Sequence, residues 1–185
     1  MGVTVALKNN GAGVYVHVDF PTAEAPVFNR GIVRRAFFKI GMEIQSAARS
    51  QISQRHGSTP GQNPGYHTGA TARSIGYYVP SATKSRPGMM VRIAPNQKRG
   101  RGATPLPLHS TAKSNGFYPA YLFYGVKQGA VRGKKHHKGA SGGSGWRVAP
   151  RENYMLTALQ NKKYWTERVL FKALKRAVKP KKLDP

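Results

Sequence analysis

The stretch VFNRGIVRRAFFKIGMEIQSAARSQISQ, residues 27–54, carries apolar side chains at every fourth position. Such spacing places them on one face of an α-helix, because the helix completes a turn every ~3.6 residues. The positions on this apolar stripe are Ile32, Ala36, Ile40, Ile44, Ala48 and Ile52, widened by Val33, Phe37 and Ala47. The stretch therefore predicts a long amphipathic helix with one buried face, on which the rest of the fold is built.

Ahead of this helix, two segments show the pattern of β-strands. Residues 3–8 are mostly apolar, and residues 14–20 alternate apolar and polar side chains. A half-buried strand has this period of two because successive side chains point to opposite faces. The sequence NNGAG between the segments has the composition of a turn. Residues 1–26 therefore predict a β-hairpin, which we expect to form an arm ahead of the main domain.

Shorter signals follow the long helix. Thr68 begins a short segment and has a side chain typical of a helix N-cap, and Ile75 at its end is predicted to point inward. Residues 76–80 and 89–94 predict two more strands, joined by a turn rich in Ser, Lys, Arg and Pro. Residues 95–117 show no regular pattern, so we expect an irregular loop there.

The C-terminal part, residues 151–178, again carries apolar residues at helical spacing. Its register changes near residues 161–164, which predicts a bend or two consecutive helices. Strands and long helical stretches thus both occur in the chain, together with an N-terminal β-hairpin, a C-terminal helix and long basic loops. The predicted division is a hairpin arm at 1–26, a main domain at 27–178 with basic loops at about 95–117 and 127–145, and a tail at 179–185.

Charge is the most unusual feature of the composition. Lys and Arg number 31 against 6 Asp and Glu in 185 residues, which gives a formal net charge of +25. Between Glu43 and Glu152 lie 108 residues without a carboxylate, and they carry 17 Lys and Arg. Free enzymes usually intersperse both signs on their surface. The middle region therefore predicts contact with a polyanion, nucleic acid first of all; a solvated basic face without a dedicated ligand is the alternative.

Residues suited to catalysis or metal binding are few. The chain has no cysteine, which excludes disulfides, thiolate nucleophiles and cysteine-based zinc sites. Acid–base catalysis by paired carboxylates is not expected of the middle region, which contains no Asp or Glu. A Ser-His-Asp triad would need Asp19 or Asp184, both close to a terminus. His136 and His137 stand in a glycine-rich stretch without a nearby acid. Two histidines alone are too few ligands for a metal site. The sequence predicts no enzymatic activity, no metal and no cofactor.

Membrane and export signals are also missing from the pattern. No apolar run reaches the ~20 residues that a membrane span requires. The first residues, MGVTVALKNN, lack the basic start and continuous apolar stretch of a signal peptide. We therefore expect no membrane partner, and a setting in the cytoplasm or inside an assembled particle.

The densest aromatic patch is YPAYLFYG, residues 118–125. Aromatic side chains among cations can stack on the bases of single-stranded nucleic acid. The same spacing suits packing in the core or at a subunit interface, and we favour this second role for Tyr118, Tyr121, Phe123 and Tyr124. No helix-turn-helix, zinc-finger or RNA-binding sheet motif is visible, so sequence-specific readout has no support.

Three segments, in order, resemble a known family. Residues 67–75, HTGATARSI, are similar to the Thr-Gly-x-Leu-x-x-Ser-Ile segment of the neck or tail-completion proteins of long-tailed bacteriophages. Residues 118–126, YPAYLFYGV, resemble that family's Tyr-Ala-x-Tyr-Val-Glu-Phe-Gly-Thr, with Phe123 in place of its Glu and Val126 in place of its Thr. Residues 149–159, APRENYMLTAL, resemble its Pro-x-x-Phe-Leu-x-x-Ala-Leu, which a long final helix follows.

The resemblance covers roughly residues 27–178 and implies an α+β fold class, with a small antiparallel sheet packed on a long amphipathic helix. It also implies that such subunits assemble into a ring between the capsid portal and the tail. Family members act without catalysis, by joining the filled head to the tail or preparing that step. The implied partners are further copies of the chain in a hexamer or dodecamer, head-completion or portal-side proteins, and tail-terminator or tail-tube proteins. The implied location is the virion neck, assembled in the host cytoplasm.

The resemblance also suggests a role for the charge. The ring surrounds the channel through which double-stranded DNA leaves, and this DNA carries one negative charge per ~1.7 Å of axis. Basic loops facing the channel would hold the phosphates without reading bases. The residues expected to contact DNA are Lys98, Arg99, Arg101, Arg132, Lys134, Lys135 and Lys138. The N-terminal hairpin, in turn, could add a strand to a neighbouring subunit or to a tail protein.

Other functions remain open on the sequence. A cellular nucleic-acid-binding protein of the ribosomal type, without sequence preference, explains the net charge equally well. It does not explain the three ordered segments or the two long amphipathic stretches. A nuclease would need metal-binding acids that the middle region lacks. The basic loops could also face an acidic protein surface instead of DNA.

Overall fold

The structure is a computed structural model, and its helices and antiparallel strands form the α+β fold that the sequence predicts. It describes residues 5–10, 13–18, 29–52, 59–65, 68–81, 83, 88–97, 100–106, 118–128 and 144–178. The elements in chain order are β1 (Val5–Asn10), β2 (Gly13–Val18), α1 (Arg30–Ile52), α2 (Ala70–Ser74), β3 (Ile75–Tyr78), β4 (Met89–Pro95), α3 (Tyr118–Tyr124), β5 (Val126–Gln128), β6 (Ser144–Val148), α4 (Tyr154–Asn161) and α5 (Lys163–Ala177).

Helix α1 is the long amphipathic helix predicted from the apolar stripe. It begins where the side chain of Asn29 accepts a hydrogen bond from the backbone N–H of Gly31 at 3.0 Å, which caps the first turn. Ile40, Ile44 and Ala48 on its inner face are fully buried. The helix packs against β3 and β4 on one side and against α4 and α5 on the other, so α1 is the centre of the core.

The main sheet has four antiparallel strands in the order β1-β2-β4-β3. Val16 of β2 lies opposite Val91 of β4, and both side chains are buried. Gly41 of α1 lies where the helix meets this sheet, and a Cβ atom there would be 2.5 Å from Cδ2 of Tyr77 and 2.8 Å from Cγ2 of Val91. The missing side chain thus lets the helix backbone approach the sheet closely.

The predicted N-terminal hairpin is confirmed as a structural unit, but it belongs to the main sheet. β1 and β2 are antiparallel, with Asn10 opposite Gly13. β2 also forms a ladder with β4, and Val14 is buried in the shared core. Residues 13–18 are therefore a central strand of the sheet and not part of an arm. The physical reason is that β2 finds its second partner more than 70 residues along the chain, which local patterning does not reveal.

Two consecutive helices occupy the C-terminal part, as the change of register predicts. The side chain of Asn153 caps α4 by accepting a hydrogen bond from the N–H of Leu156 at 3.1 Å. Lys162 separates α4 from α5, and its ammonium group lies 2.6 Å from Oε1 of Glu43 on α1. Met155 and Leu170 are buried in the common core, so both helices pack on α1.

The predicted N-cap at Thr68 is one residue too early. Gly69 is the N-cap of α2, with φ of +70°, and it has no side chain that could cap. The hydroxyl of Thr68 instead accepts a hydrogen bond from the N–H of Ala70 at 3.3 Å. A left-handed backbone is easy for glycine and costly for other residues, so the helix entry moves to Gly69. Ile75 is fully buried, as predicted.

The basic loop predicted at 127–145 is shorter than expected at both ends. β5 takes up Lys127 and Gln128, and β6 begins at Ser144, the two strands forming a separate antiparallel ribbon. Residues 129–143 of that loop lie outside the described residues, as do 107–117 of the other predicted loop. None of the described helices is both long and apolar enough to cross a membrane.

Candidate functional site: cationic and aromatic surfaces

The residues predicted to contact DNA fall on both described and undescribed parts of the chain. Lys98, Arg99, Arg132, Lys134, Lys135 and Lys138 lie outside the described residues. Arg101 is described, and its side chain is exposed. Of the predicted DNA contacts, Arg101 is therefore the residue whose surroundings the structure describes.

The backbone of Arg101 is held between β3 and α1. Its N–H donates to the carbonyl of Tyr77 at 2.9 Å, and its carbonyl accepts from the side-chain amide of Gln45 at 3.0 Å. The same amide of Gln45, which is buried, donates to the carbonyl of Ile75 at 2.7 Å. Gly76 and Gly100 pack backbone to backbone, because a Cβ on Gly76 would be 2.9 Å from Cα of Gly100. This segment is thus attached firmly to the core.

A second side chain of α1, Arg49, reinforces that attachment. Its guanidinium donates to the carbonyl of Ile75 at 2.9 Å and also to the carbonyl of Gly102. Desolvation by burial lowers the pKa of Arg49 from its usual value. The N–H of Thr104 donates to the carbonyl of Arg73 at 2.9 Å. Together these bonds fix the backbone that carries Arg101, which limits the entropy lost when Arg101 binds a ligand.

The side chain of Arg101 lies on an aromatic ring shared with a second arginine. Its guanidinium carbon is 4.5 Å from the centroid of Phe38, and that of Arg34 is 5.3 Å from the same centroid. Arg34 also donates to the carbonyl of Val79 at 3.2 Å. We call Arg34, Phe38 and Arg101 the arginine–Phe38 cluster. Two guanidinium groups beside one ring form a strongly cationic spot with an apolar base.

No described carboxylate neutralises this cluster. Of the three described acids, Glu43 pairs with Lys162, Glu152 accepts a hydrogen bond from the hydroxyl of Thr157 at 3.1 Å, and Glu167 lies on α5. Arg34 and Arg101 form no ion pair within the described ranges. An anion in reach of Arg101 would therefore meet an exposed, already positioned guanidinium, which forms strong bidentate hydrogen bonds with phosphate or carboxylate oxygens.

The predicted aromatic patch forms helix α3 and leads into the ribbon of β5 and β6. Pro119 and Leu122 are buried residues of α3, whereas Tyr121 is 39% exposed. Phe123 and Tyr124 are half-buried and pack edge to face, with their ring centroids 4.7 Å apart. Tyr118 begins the helix, and the surroundings of its side chain lie outside the described part. We call α3, β5 and β6 together the aromatic ribbon.

Trp146 of β6 is the largest exposed side chain of the aromatic ribbon, at 52% exposure. The ammonium of Lys127 lies 6.0 Å from its ring centroid. Gly125 joins α3 to β5 with φ of +72°, and a Cβ there would be 2.7 Å from Cζ3 of Trp146 and 2.8 Å from Cδ of Pro150. Gly125 therefore permits the reversal that places α3 beside Trp146.

Several of these residues were missed by sequence reasoning. The sequence patterns assign no separate role to Arg34, Phe38, Gln45 or Arg49. Their roles depend on β3 and on residues 100–106, which are distant in sequence. Trp146 stands next to a stretch without periodicity, so no pattern predicts its exposure.

Neither the metal-ligating side chains that the structure describes nor similarity to known proteins indicates a function for this chain. Within the part of the chain that the structure describes, no three His, Cys, Asp or Glu side chains come together in a group that could hold a metal ion. Comparisons with protein-family models, curated proteins and solved structures find no match for this chain. Function is therefore inferred from the cationic and aromatic surfaces themselves.

Proposed function

We propose that the chain is a non-catalytic structural subunit of a tailed-phage neck, which assembles into a ring around the DNA exit channel and contacts the DNA without sequence preference. The neck assignment rests on the three segments that resemble the family. The observation that carries the DNA contact is the arginine–Phe38 cluster, a cationic spot with an exposed Arg101 that no described carboxylate neutralises. Arg101 of the cluster is the last residue of the basic sequence Lys98–Arg101, in a chain of net charge +25.

The cluster suits contact with a phosphate backbone. Arg101 has a fixed backbone and an exposed guanidinium that lies on the ring of Phe38, so it can hold a phosphate oxygen pair at little cost in entropy. Phosphates repeat along any DNA sequence, and a contact to them carries no base information. A ring of such subunits would present the same cation at regular intervals around a duplex.

The aromatic ribbon supports assembly. β5 has three residues and β6 has five, and a two-stranded ribbon of this kind is marginally stable alone in water. Trp146 and Tyr121 nevertheless stand partly in solvent. A neighbouring subunit that covers these rings would stabilise the ribbon, and aromatic side chains are enriched at such interfaces. β1, at the edge of the main sheet, offers a further place for a neighbour to add a strand.

Charge sets a condition on this assembly. Subunits that each carry +25 repel one another, and the repulsion acts over a Debye length of about 10 Å at 0.1 M salt. DNA in the channel, higher salt or an acidic neighbour from the head or the tail would reduce it. The family resemblance implies head-completion or portal-side proteins and tail-terminator or tail-tube proteins as partners of a hexameric or dodecameric ring, and an acidic surface on any of them would offset this charge.

Particle mass tests the proposal. Native mass spectrometry and light scattering would be recorded at low and high salt, with and without duplex DNA and purified tail-tube protein. A closed ring under any of these conditions, together with DNA binding that weakens steeply with salt, is the expected result. A stable monomer that never assembles and prefers folded RNA would overturn it in favour of a ribosomal-type nucleic-acid-binding protein.

The variant Trp146→Ser sharpens this test. Because Trp146 is 52% exposed and lies outside the hydrophobic core cluster, we expect the monomer to lose little thermal stability while the assembled mass falls. Met42→Ser serves as the matched control, since Met42 is an exposed apolar residue on α1, away from the aromatic ribbon. Equal assembly by both variants would remove the ribbon from the interface.

A further inference from the structure

Helix α5 has two faces of opposite character. Its inner residues Thr166, Leu170, Ala173 and Ala177 are buried against the core. On the other side, Tyr164 is 82% exposed and Phe171 is 69% exposed, the two most exposed large apolar side chains among the described residues. Exposing two aromatic rings to water is unfavourable, so this outer face calls for an explanation of its own.

The exposed rings belong to one continuous stripe. Tyr164, Arg168, Phe171 and Lys175 stand at spacings of four, three and four residues, and all four are exposed. These spacings place side chains on one face of a helix, here opposite the buried face. The stripe is about 16 Å long, since each residue adds ~1.5 Å. We call these four residues the outer stripe; aromatic and cationic side chains alternate along it.

The charge of the outer stripe indicates the kind of partner. It contains two cations and no acid, and Lys172 and Arg176 add positive charge at its sides, against Glu167 alone. A second copy of the chain would meet this stripe with the same positive charge, which is repulsive. An acidic surface would be attracted to it. The two rings, in addition, need apolar pockets to enter.

Nucleic acid fits the outer stripe less well than protein. Phosphates would bind Arg168 and Lys175, but they give the rings no apolar contact. The rings lie about 10 Å apart along the helix, whereas successive nucleotides of a stacked strand are only ~3.4 Å apart. Consecutive stacked bases therefore do not match the spacing of Tyr164 and Phe171. Aromatic and arginine anchors on one helix face are typical of a helix that docks into a protein groove.

We propose that α5 docks through its outer stripe into an acidic groove with apolar pockets on a partner protein. Tyr164 and Phe171 enter the pockets, and Arg168 and Lys175 pair with carboxylates at the rim. The inference stands on α5 alone and requires neither DNA binding nor ring formation. α5 is well suited to present this stripe rigidly, because Leu170 and Ala173 anchor it to the core and Asn29 donates a backbone hydrogen bond to its last residue, Ala177, at 2.9 Å.

The test uses a synthetic helical hairpin whose groove is lined by Leu and rimmed by Glu, labelled with fluorescein. A second hairpin has Gln in place of the rim Glu, and a labelled 20-base-pair duplex DNA is the third probe. Binding of each probe to the full chain would be followed by fluorescence anisotropy. We expect saturable binding of the Glu-rimmed hairpin and much weaker binding of the Gln-rimmed one; no saturable binding of the Glu-rimmed hairpin would overturn the proposal.

Two double variants separate the contributions of the rings and the cations. Tyr164→Ser with Phe171→Ser should weaken binding of the Glu-rimmed hairpin at least about tenfold and leave DNA binding unchanged. Arg168→Gln with Lys175→Gln should weaken hairpin binding and reduce its salt dependence. Met42→Ser, which removes an exposed apolar residue from α1, should change neither.

Other outcomes identify a different occupant and contradict the proposal. If the double ring variant binds the hairpin as tightly as the unmodified chain, the stripe is not a docking face. If the same variant loses DNA binding instead, its occupant is nucleic acid. If it loses oligomer mass in light scattering, its occupant is a second copy. Circular dichroism of each variant checks that α5 remains folded.

Discussion

At Gly41 a single missing side chain decides how closely α1 can approach the sheet. We expect Gly41→Ala to lower the free energy of unfolding by about 1–3 kcal/mol, because the added Cβ would collide with Tyr77 and Val91. At an exposed helix position a Gly→Ala change would raise the free energy of unfolding by about 1 kcal/mol. A decrease in the free energy of unfolding at Gly41 would therefore indicate the collision with the sheet. Urea unfolding followed by circular dichroism measures it.

Ser46→Ala is the matched control for this prediction, since Ser46 lies on the exposed face of the same helix. It should leave the midpoint of unfolding unchanged or raise it slightly. A Gly41→Ala protein as stable as the Ser46→Ala protein would mean that the sheet yields and that the close approach is not required.

Tyr154 is buried at the start of α4, and this burial raises its pKa well above the usual value. In the unfolded chain the phenol ionises near pH ~10, while in the folded chain it keeps its proton to higher pH. The folded state is therefore fully favoured below pH ~10 and loses stability as the pH rises above it. We expect Tyr154→Phe to lose less stability than the unmodified chain between pH 9 and 11, measured by urea unfolding. Parallel curves for the two proteins would show that Tyr154 does not contribute.

Among the elements, α1 does more than fill the core, because it also holds the segment that carries Arg101. Gln45→Ala would remove the side-chain hydrogen bonds to the carbonyls of Ile75 and Arg101. The carbonyl of Ile75 would keep its bond from Arg49, whereas the carbonyl of Arg101 would lose the side-chain donor that holds it. We expect unfolding free energy to fall by about 1–3 kcal/mol. Amide hydrogen exchange should also become faster at residues 100–104 than in α5, since the anchoring is local.

Ser46→Ala again provides the comparison, because it changes the next residue of α1 without touching the segment at 100–106. If Gln45→Ala accelerates exchange equally everywhere, its effect is a general loss of stability. If exchange at 100–104 does not change, Arg49 and the backbone hydrogen bonds of Arg101 and Thr104 hold the segment without Gln45. Either result contradicts the anchoring role given to Gln45.

At the level of elements, sequence periodicity predicted most of the helices and strands. The apolar stripe at every fourth residue identified α1, and the change of register near residues 161–164 identified the break between α4 and α5. Sequence periodicity missed β5 and β6 at the ends of the 127–145 loop. Both strands are short, and they are defined by pairing with each other rather than by an alternating pattern.

For the whole molecule, the arginine–Phe38 cluster makes a prediction about binding to duplex DNA. Arg101→Gln should weaken binding for all sequences alike, and the slope of log K against log salt should become shallower by about 1, which corresponds to one lost phosphate contact. Lys172→Gln on α5 removes the same charge at an exposed position that is not part of the cluster and is the control. Fluorescence anisotropy with two unrelated duplexes, over a range of salt concentrations, measures the slopes.

An equal loss for both variants would contradict this prediction. It would mean that DNA responds to total charge alone, and that the fixed backbone of Arg101 has no special role. A loss for one duplex and not the other would contradict the proposal of binding without sequence preference. In either case the surface that contacts DNA would have to be sought elsewhere on the chain.

What the sequence determined by itself was local: the buried stripe of α1, the N-terminal hairpin, the two C-terminal helices, and a middle region with an excess of cations over 108 residues. These follow from spacing and composition, which act between near neighbours in the chain. Only the tertiary structure decided that β2 pairs with β4, that Gln45 holds Arg101, and that Arg34 and Arg101 share the ring of Phe38. Each of these joins residues dozens of positions apart, and such contacts form only when the whole core packs, because packing compensates for the entropy of closing long loops.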